Sequence, residues 1–331
     1  MRRPLLWVVV VVGCGGVEPR VERDAATDDA VVADASAVVD ATTGMTDARL
    51  DDASYGACVV WTTPGSCMDV ALCPADHMPV AGHCPGPASI ECCVPVDPSM
   101  CDPTVRVQPN EGIGDEAAGV GGCLPGMVPV TATLCIDQYE ASLVEVLGDG
   151  TTREWSPYFD PGATRVRAVS RAGAVPQGYI SGTESAAACT EAGKRLCTDT
   201  EWLRACQGST GSTYPYGDAR MTGVCNDHRD VHPAVERFGT SADWIWSMLN
   251  DACISQLPMS LARTGAFTGC VSECGALDMM GNLHEWTSDP AGSFRGGFYV
   301  DTVLNGPGCL YVTTAHDMGH HDYSTGFRCC K

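Results

Sequence analysis

What this chain lacks most is positive charge. Its 331 residues hold 20 Lys and Arg against 41 Asp and Glu, a formal net charge of -21. So acidic a surface repels a phosphate backbone, which excludes nucleic acid and leaves solubility or cation binding as uses for the charge. Sets of Cys-x2-Cys pairs are also missing, so the 20 cysteines do not read as a zinc array. They read instead as disulfides, which places the chain in an oxidising compartment. His284-Glu285 is not followed by a second histidine, because Ser288 stands at that position, and this excludes a zinc-protease H-E-x2-H motif. One local shortage stands out. No cysteine falls between Cys274 and Cys309, although FRGGFYVDTVLNGPGC, from Phe294, is a pocket-like strand and loop.

The N-terminus reads as a targeting segment. Arg2 and Arg3 precede an apolar run from Leu5 to Val12, too short to span a bilayer and suited to the core of a secretory signal. It ends Val-Val-Gly-Cys, which resembles a bacterial lipobox with Cys14 as the lipidated residue; cleavage after a small residue is the alternative. Residues 1–14 are therefore expected to be a lipoprotein-type signal. The expected location is extracytoplasmic, lipid-anchored to a bacterial membrane, the outer one in particular.

Residues 15–56 are Ala, Val, Thr and scattered Asp with no aromatic before Tyr55. Such composition reads as a disordered acidic tether. Residues 57–96 form a small cysteine-rich module, with Cys58, Cys67, Cys73, Cys84, Cys92 and Cys93 among Gly and Pro. It is too small to fold by apolar burial alone, so bridges must stabilise it. Residues 97–122 read as a connector and 123–331 as one domain. There, Met127–Val130 and Leu134–Ile136 read as strands, and Glu184–Ala192 as a helix closed by Gly193. Thr198 and Glu201 make a capping box that opens a second helix through Trp202, Leu203 and Cys206. The remainder is turns and short strands, which predicts an α+β domain held by bridges.

Six segments then carry a resemblance. GMVPV…CIDQYEAS from Gly126, ACTEAGKRLCTDTEWLRACQG from Ala188, YPYGD from Tyr214, GNLHEWTSD from Gly281, FRGGFYVD from Phe294 and STGFRCC from Ser324 occur in that order. Together they resemble the formylglycine-generating enzyme, or sulfatase-modifying factor, family. The resemblance implies a C-type-lectin-like variant fold with little regular secondary structure. It also implies an oxidoreductase that converts a sulfatase cysteine to formylglycine with O2, through Cu(I) held by two thiolates after the Gly-Gly strand. A soft ion needs those soft ligands. Here the first thiolate position is Asp301, Thr302 to Gly308 hold no thiol, and Cys309 alone remains for the second. That denies a two-thiolate site, so no catalytic residue is assigned.

The same resemblance implies bridges Cys189–Cys329 and Cys206–Cys309. Extra cysteines beyond those pairs, at Cys135, Cys197, Cys225, Cys253, Cys270, Cys274 and Cys330, suggest additional staples. Setting Cys14 aside leaves an odd number of thiols, so at least one is free or pairs between chains, and Cys309 is one candidate to test for that role. Asn226, Asp227, Asn282 and Glu285 match positions around the family's structural calcium. His316, His320, His321 and Asp322, and the pair His228 and His232, read as solvated or turn-holding residues rather than metal ligands. Trp244, Trp246 and Trp286 read as core or rim. The expectation is a displayed, non-catalytic binding or scaffold module for a protein or glycan. The alternative is a divergent formylglycine generator or another metal-dependent oxygenase.

Overall fold

The computed structural model describes residues 55–60, 63–73, 77–80, 82–95 and 101–331. The signal segment with Cys14, and all of the tether before Tyr55, lie outside the described residues. Among those described, no helix is long and apolar enough to cross a membrane.

The cysteine-rich module is a four-stranded antiparallel sheet of β1 (Ala57–Val60), β2 (Thr63–Asp69), β3 (His77–Val80) and β4 (Ile90–Pro95), in the order β1-β2-β4-β3. Successive side chains on a strand point to opposite faces, so adjacent Cys92 and Cys93 on β4 serve different partners. Cys92 bridges Cys58, Cys93 bridges Cys73, and Cys67 bridges Cys84. Val60, Ile90 and Val94 pack among these sulfurs as the module's small core.

The larger domain starts with the hairpin of β5 (Met127–Thr131) and β6 (Leu134–Asp137), then β7 (Ala141–Val146), β8 (Thr152–Glu154) and β9 (Val166–Ser170). Helix α1 (Gly182–Glu191) begins two residues earlier than the alanine-rich run suggests, because Ser181 and Glu184 form a reciprocal capping box. Gly193 follows it with φ +69°, a conformation that favours glycine. After β10 (Arg195–Leu196), α2 (Asp199–Gln207) opens on the Thr198–Glu201 box and buries Trp202, Ala205 and Cys206, three and four residues apart on one face. A third short helix, α3 (Pro233–Phe238), has His232 as its cap, Pro at its start and Gly239 at its end. Short strands β11 (His284–Trp286), β12 (Phe294–Arg295), β13 (Val312–Thr313), β14 (Thr325–Phe327) and β15 (Cys329–Cys330) complete the domain.

Three small sheets result, ordered β10-β15-β6-β5, β13-β12-β11-β14 and β8-β7-β9. All pairings are antiparallel except β11 with β14. One core gathers Trp286, Phe294 and Phe327 against α1 and the β7–β9 sheet; a second surrounds Trp202; a third is rich in tyrosine, with Tyr179, Tyr299 and Tyr323.

Six further bridges fasten these short elements: Cys101–Cys253, Cys123–Cys135, Cys189–Cys329, Cys197–Cys330, Cys206–Cys309 and Cys225–Cys270. Cys274 is the one free cysteine among the described residues. Cys309, one candidate for the odd thiol, is therefore not unpaired, since its buried sulfur is bonded to Cys206 on α2. The segment read as a connector is also part of the domain from Cys101 onward. Asn110 is fully buried, its amide donating to the Val175 carbonyl at 2.9 Å and its oxygen accepting from the Val175 amide at 2.7 Å. Glu116 reaches Lys194 at 2.9 Å.

Candidate functional site

Two consecutive glycines after β12 shape the loop that should hold the chemistry. Gly296 and Gly297 have φ +83° and +70°, and a Cβ on Gly297 would overlap the Asp301 carbonyl and stand 2.8 Å from the Thr302 Cα. The chain can therefore fold back tightly. Phe298 donates its amide to the Asp301 carbonyl at 2.9 Å, and Asp301 returns its amide to the Phe298 carbonyl at 3.0 Å. The Asp301 side chain then caps the next turn, its Oδ1 accepting from the Val303 and Leu304 amides at 2.9 and 3.1 Å. Cys309 lies beyond, in a short helical turn, Gly308–Leu310. Arg295 secures the frame from beneath: it pairs with Asp199 at 2.6 Å and donates to the Cys309 carbonyl at 3.4 Å.

From Asp301 a chain of polar groups runs inward. Tyr311 donates its hydroxyl to Asp301 Oδ2 at 3.1 Å and lies 3.4 Å from His284 Nε2. His284 Nδ1 stands 3.1 Å from Ser324 Oγ, and that hydroxyl donates to Asp322 Oδ1 at 2.7 Å. Asp322 Oδ2 faces His320 Nε2 at 3.3 Å, and the His320 ring stacks on His316 with centroids 3.7 Å apart.

Proton inventory fixes the tautomer of His284. Ser324 has one hydroxyl proton and gives it to Asp322, so it must accept from a hydrogen on His284 Nδ1. Nε2 is then a lone-pair acceptor, and the Tyr311 hydrogen has two acceptors, Asp301 and His284. Burial among Phe294, Phe298 and Tyr311 pushes the His284 imidazolium down to about 4, which keeps the ring neutral. Burial, with the Asp301 carboxylate beside it, pushes the Tyr311 phenol up to about 12. Burial works against a charged Asp322, yet the bonds from His320 and Ser324 outweigh it and hold its carboxyl below the usual range.

Neither implied metal fits the residues present. Copper would need two thiolates: Asp301 offers a hard oxygen already bonded to two amides and a phenol, and the Cys309 sulfur is in a disulfide. For calcium, the Glu285 carboxylate is filled by Arg328, at 2.6 Å to each oxygen, and by Trp202 Nε1 at 2.6 Å. Asn226 donates to the Ser260 carbonyl and to Asn282 Oδ1, and Asn282 Oδ1 also takes the Ala262 amide. Asp227 is paired with Arg220 at 3.1 Å. Asn226 and Asn282 thus satisfy each other and the backbone, while the Glu285 and Asp227 carboxylates are held by Arg328, Trp202 and Arg220.

The remaining candidates separate. His228 is exposed beside Asp227, whereas His232 caps α3 and meets the Tyr323 hydroxyl at 2.8 Å. Trp286 is core, while Trp244 and Trp246 are 53% and 45% exposed. Sequence reading passed over Tyr311, Glu140 and Arg328 as site residues, although Glu140 and Arg328 lie inside two of the six motifs. Glu140 is fully buried, accepts from Asn282 Nδ2 at 2.5 Å, and burial, reinforced by Asp278 and Glu285, drives its carboxyl well above the usual range.

The fold and frame define a disulfide-held C-type-lectin-like domain with a Gly-Gly turn at its site. Residues 135–331 match the sulfatase-modifying factor enzyme 1-like domain, more than half of the chain, and the chain belongs to that family. A stretch of 119 residues is 31% identical to hercynine oxygenase of Mycolicibacterium thermoresistibile, covering 35% of this chain and 21% of that protein. The chain thus matches about a fifth of that relative's length. Among solved structures, the Major Tropism Determinant I1 variant is similar at TM-score 0.36 and 14% identity, covering 64% of this chain and 53% of the other. The P3c variant has TM-score 0.36 and 15% identity, covering 82% and 63%.

Proposed function

We propose that this protein is an extracytoplasmic, lipid-anchored binding module in which a sulfatase-modifying-factor-like frame has lost the copper-thiolate chemistry and displays a surface to a protein or glycan. One observation carries the reading: the Cys309 sulfur is tied to Cys206, and Asp301 stands in the first thiolate's place as a turn cap. A loop so fixed cannot offer two thiolates to a soft ion. Exposed Trp244 and Trp246, on the short helical segment Asp243–Ser247, give flat apolar area of the kind that proteins and sugar faces dock against.

The second reading is an oxidoreductase on the same frame. It is supported by the name of the hercynine oxygenase relative and by the buried, neutral His284 beside a phenol that has two acceptors. Copper-loaded protein is to be assayed for O2 consumption with a Cys-x-Pro-x-Arg peptide. No turnover is expected. Turnover that disappears on Cys309→Ser would overturn the binding-module reading.

A further inference from the structure

A second cluster of ligand-type side chains lies apart from the Asp301 loop and from the four residues matched to calcium. Asp160 comes from the loop after β8, Glu184 from the first turn of α1, and His321 from the segment before β14. One ligand atom from each lies within 4.8 Å of the others. His321 Nε2 is 3.8 Å from Asp160 Oδ2. Local bonds already aim both acids. Asp160 Oδ1 accepts from the Gly162 amide at 2.9 Å, which leaves Oδ2 towards His321. Glu184 uses Oε2 for its cap, taking the Ser181 amide at 2.9 Å and its hydroxyl at 2.6 Å, so Oε1 is not needed there.

The two acids meet directly rather than through a cation. Burial, with the Asp160 carboxyl beside it, holds the Glu184 carboxyl above the usual range. Neither has a Lys or Arg ion-pair partner among the described residues. His321 and Asp160 are 31% and 36% exposed, which leaves the cluster open to solvent on one side.

We propose that Asp160, Glu184 and His321 bind one first-row divalent cation of the Zn2+ or Mn2+ kind, with its remaining positions open to water or to an oxygen of a docked ligand. An imidazole disfavours Ca2+ and Mg2+, which take oxygen alone, and two carboxylates disfavour the soft Cu(I). Ligand atoms on one such ion stand ~3–3.5 Å apart for bonds of about 2.0–2.2 Å, so closure needs side-chain movements of roughly 1 Å. The ion fastens the start of α1 to the segment that carries His320 and Asp322, the inner end of the Asp301 chain, beside the existing bond from the Thr183 amide to the Met318 carbonyl at 3.0 Å. This site goes beyond the binding-module reading and does not depend on it.

Isothermal titration of the metal-free full chain with Zn2+, and separately with Mn2+, tests the site. One equivalent of at least one ion should bind. Glu184→Gln keeps the cap, since a glutamine oxygen serves in a capping box, but removes the charged ligand. That variant and His321→Ala should each weaken binding by roughly tenfold or more, while His316→Ala and Cys274→Ser leave it unchanged. Absence of binding by both ions overturns the proposal. So does affinity that survives in Glu184→Gln and His321→Ala, or that falls instead in His316→Ala or Cys274→Ser. Circular dichroism of each variant, matched to the parent, shows that a lost ion is not a lost fold.

Discussion

Arg328 and Glu285 face each other without access to solvent, Nε to Oε2 and Nη2 to Oε1, both at 2.6 Å. The other guanidinium hydrogens go to the carbonyls of Asp137 and Leu277, so one side chain ties β14's end to three separate segments. Removing one partner of a buried pair strands the other. Arg328→Met should cost about 3–5 kcal/mol in guanidinium unfolding, well above an ordinary surface substitution. A loss below about 1 kcal/mol would show that the pair is not buried as described.

Asp278 sits near that guanidinium with its own carboxyl pushed up to about 6, chiefly by burial. A folded-state value above the unfolded one means that the native chain holds the proton longer. Its contribution is fully present below about pH 4 and is lost as pH rises through about 6. Asp278 also has φ +58°, which asparagine tolerates, and accepts the Gly265 amide, which an asparagine oxygen can still do. Asp278→Asn should thus be about 1–3 kcal/mol more stable than the parent at pH 8 and lose that advantage by pH 4. Paired denaturation curves at the two pH values decide it.

How much of this was legible in the chain depended on range. Both long helices carry their start signals locally, Thr198 with Glu201 and Ser181 with Glu184, the second masked in the sequence by the alanine run that follows it. The α+β class followed from short apolar stretches between turns. Bridge partners outside the family motifs were not legible, because Cys101 finds Cys253 across 152 residues and spacing says nothing about that closure. The chain Asp301–Tyr311–His284–Ser324–Asp322 was hidden for the same reason. It draws on the Gly-Gly loop, β11 and the segment before β14, which only the packed sheet brings together.

His284 should report its environment directly. Its folded value of about 4 lies below the ordinary histidine range, so its contribution is present above about pH 6.5 and is lost as pH falls through about 4. Nitrogen-resolved NMR should show a neutral ring with its hydrogen on Nδ1 at pH 5.5. Replacement by Phe, which suits the surrounding rings, should flatten the acid limb of stability by on the order of 2–3 kcal/mol. A His284 that titrates near 6.5 would refute the buried, neutral assignment.

Asp301 is a cap by position, so its removal should act on the loop first. Asp301→Ala loses the acceptor of two backbone amides and the bond from Tyr311, and should cost about 1–2 kcal/mol. Asp301→Asn keeps Oδ1-type acceptance and should recover most of that. Equal losses in the two variants would mean that the charge, rather than the cap, is what the loop uses.

The sharpest contrast is between two cysteines, Cys309 and Cys274. The first is buried and bridged to Cys206 across 103 residues of chain; the second is half-buried and free. Alkylation of the native protein, followed by peptide mapping, should therefore label Cys274 and leave Cys309 unmodified until reduction. Opening the Cys206–Cys309 loop by the double change to serine should cost about 4–5 kcal/mol in the chain-entropy picture, more than any of the single polar changes in the Asp301 loop. The same geometry limits any attempt to restore the family's copper pair. Asp301→Cys alone supplies one thiol, because the other sulfur stays in its bridge, and copper-dependent O2 uptake should remain absent. Native labelling of Cys309, or O2 uptake in that single variant, would show that the Cys206–Cys309 bridge is not the resting state of the loop.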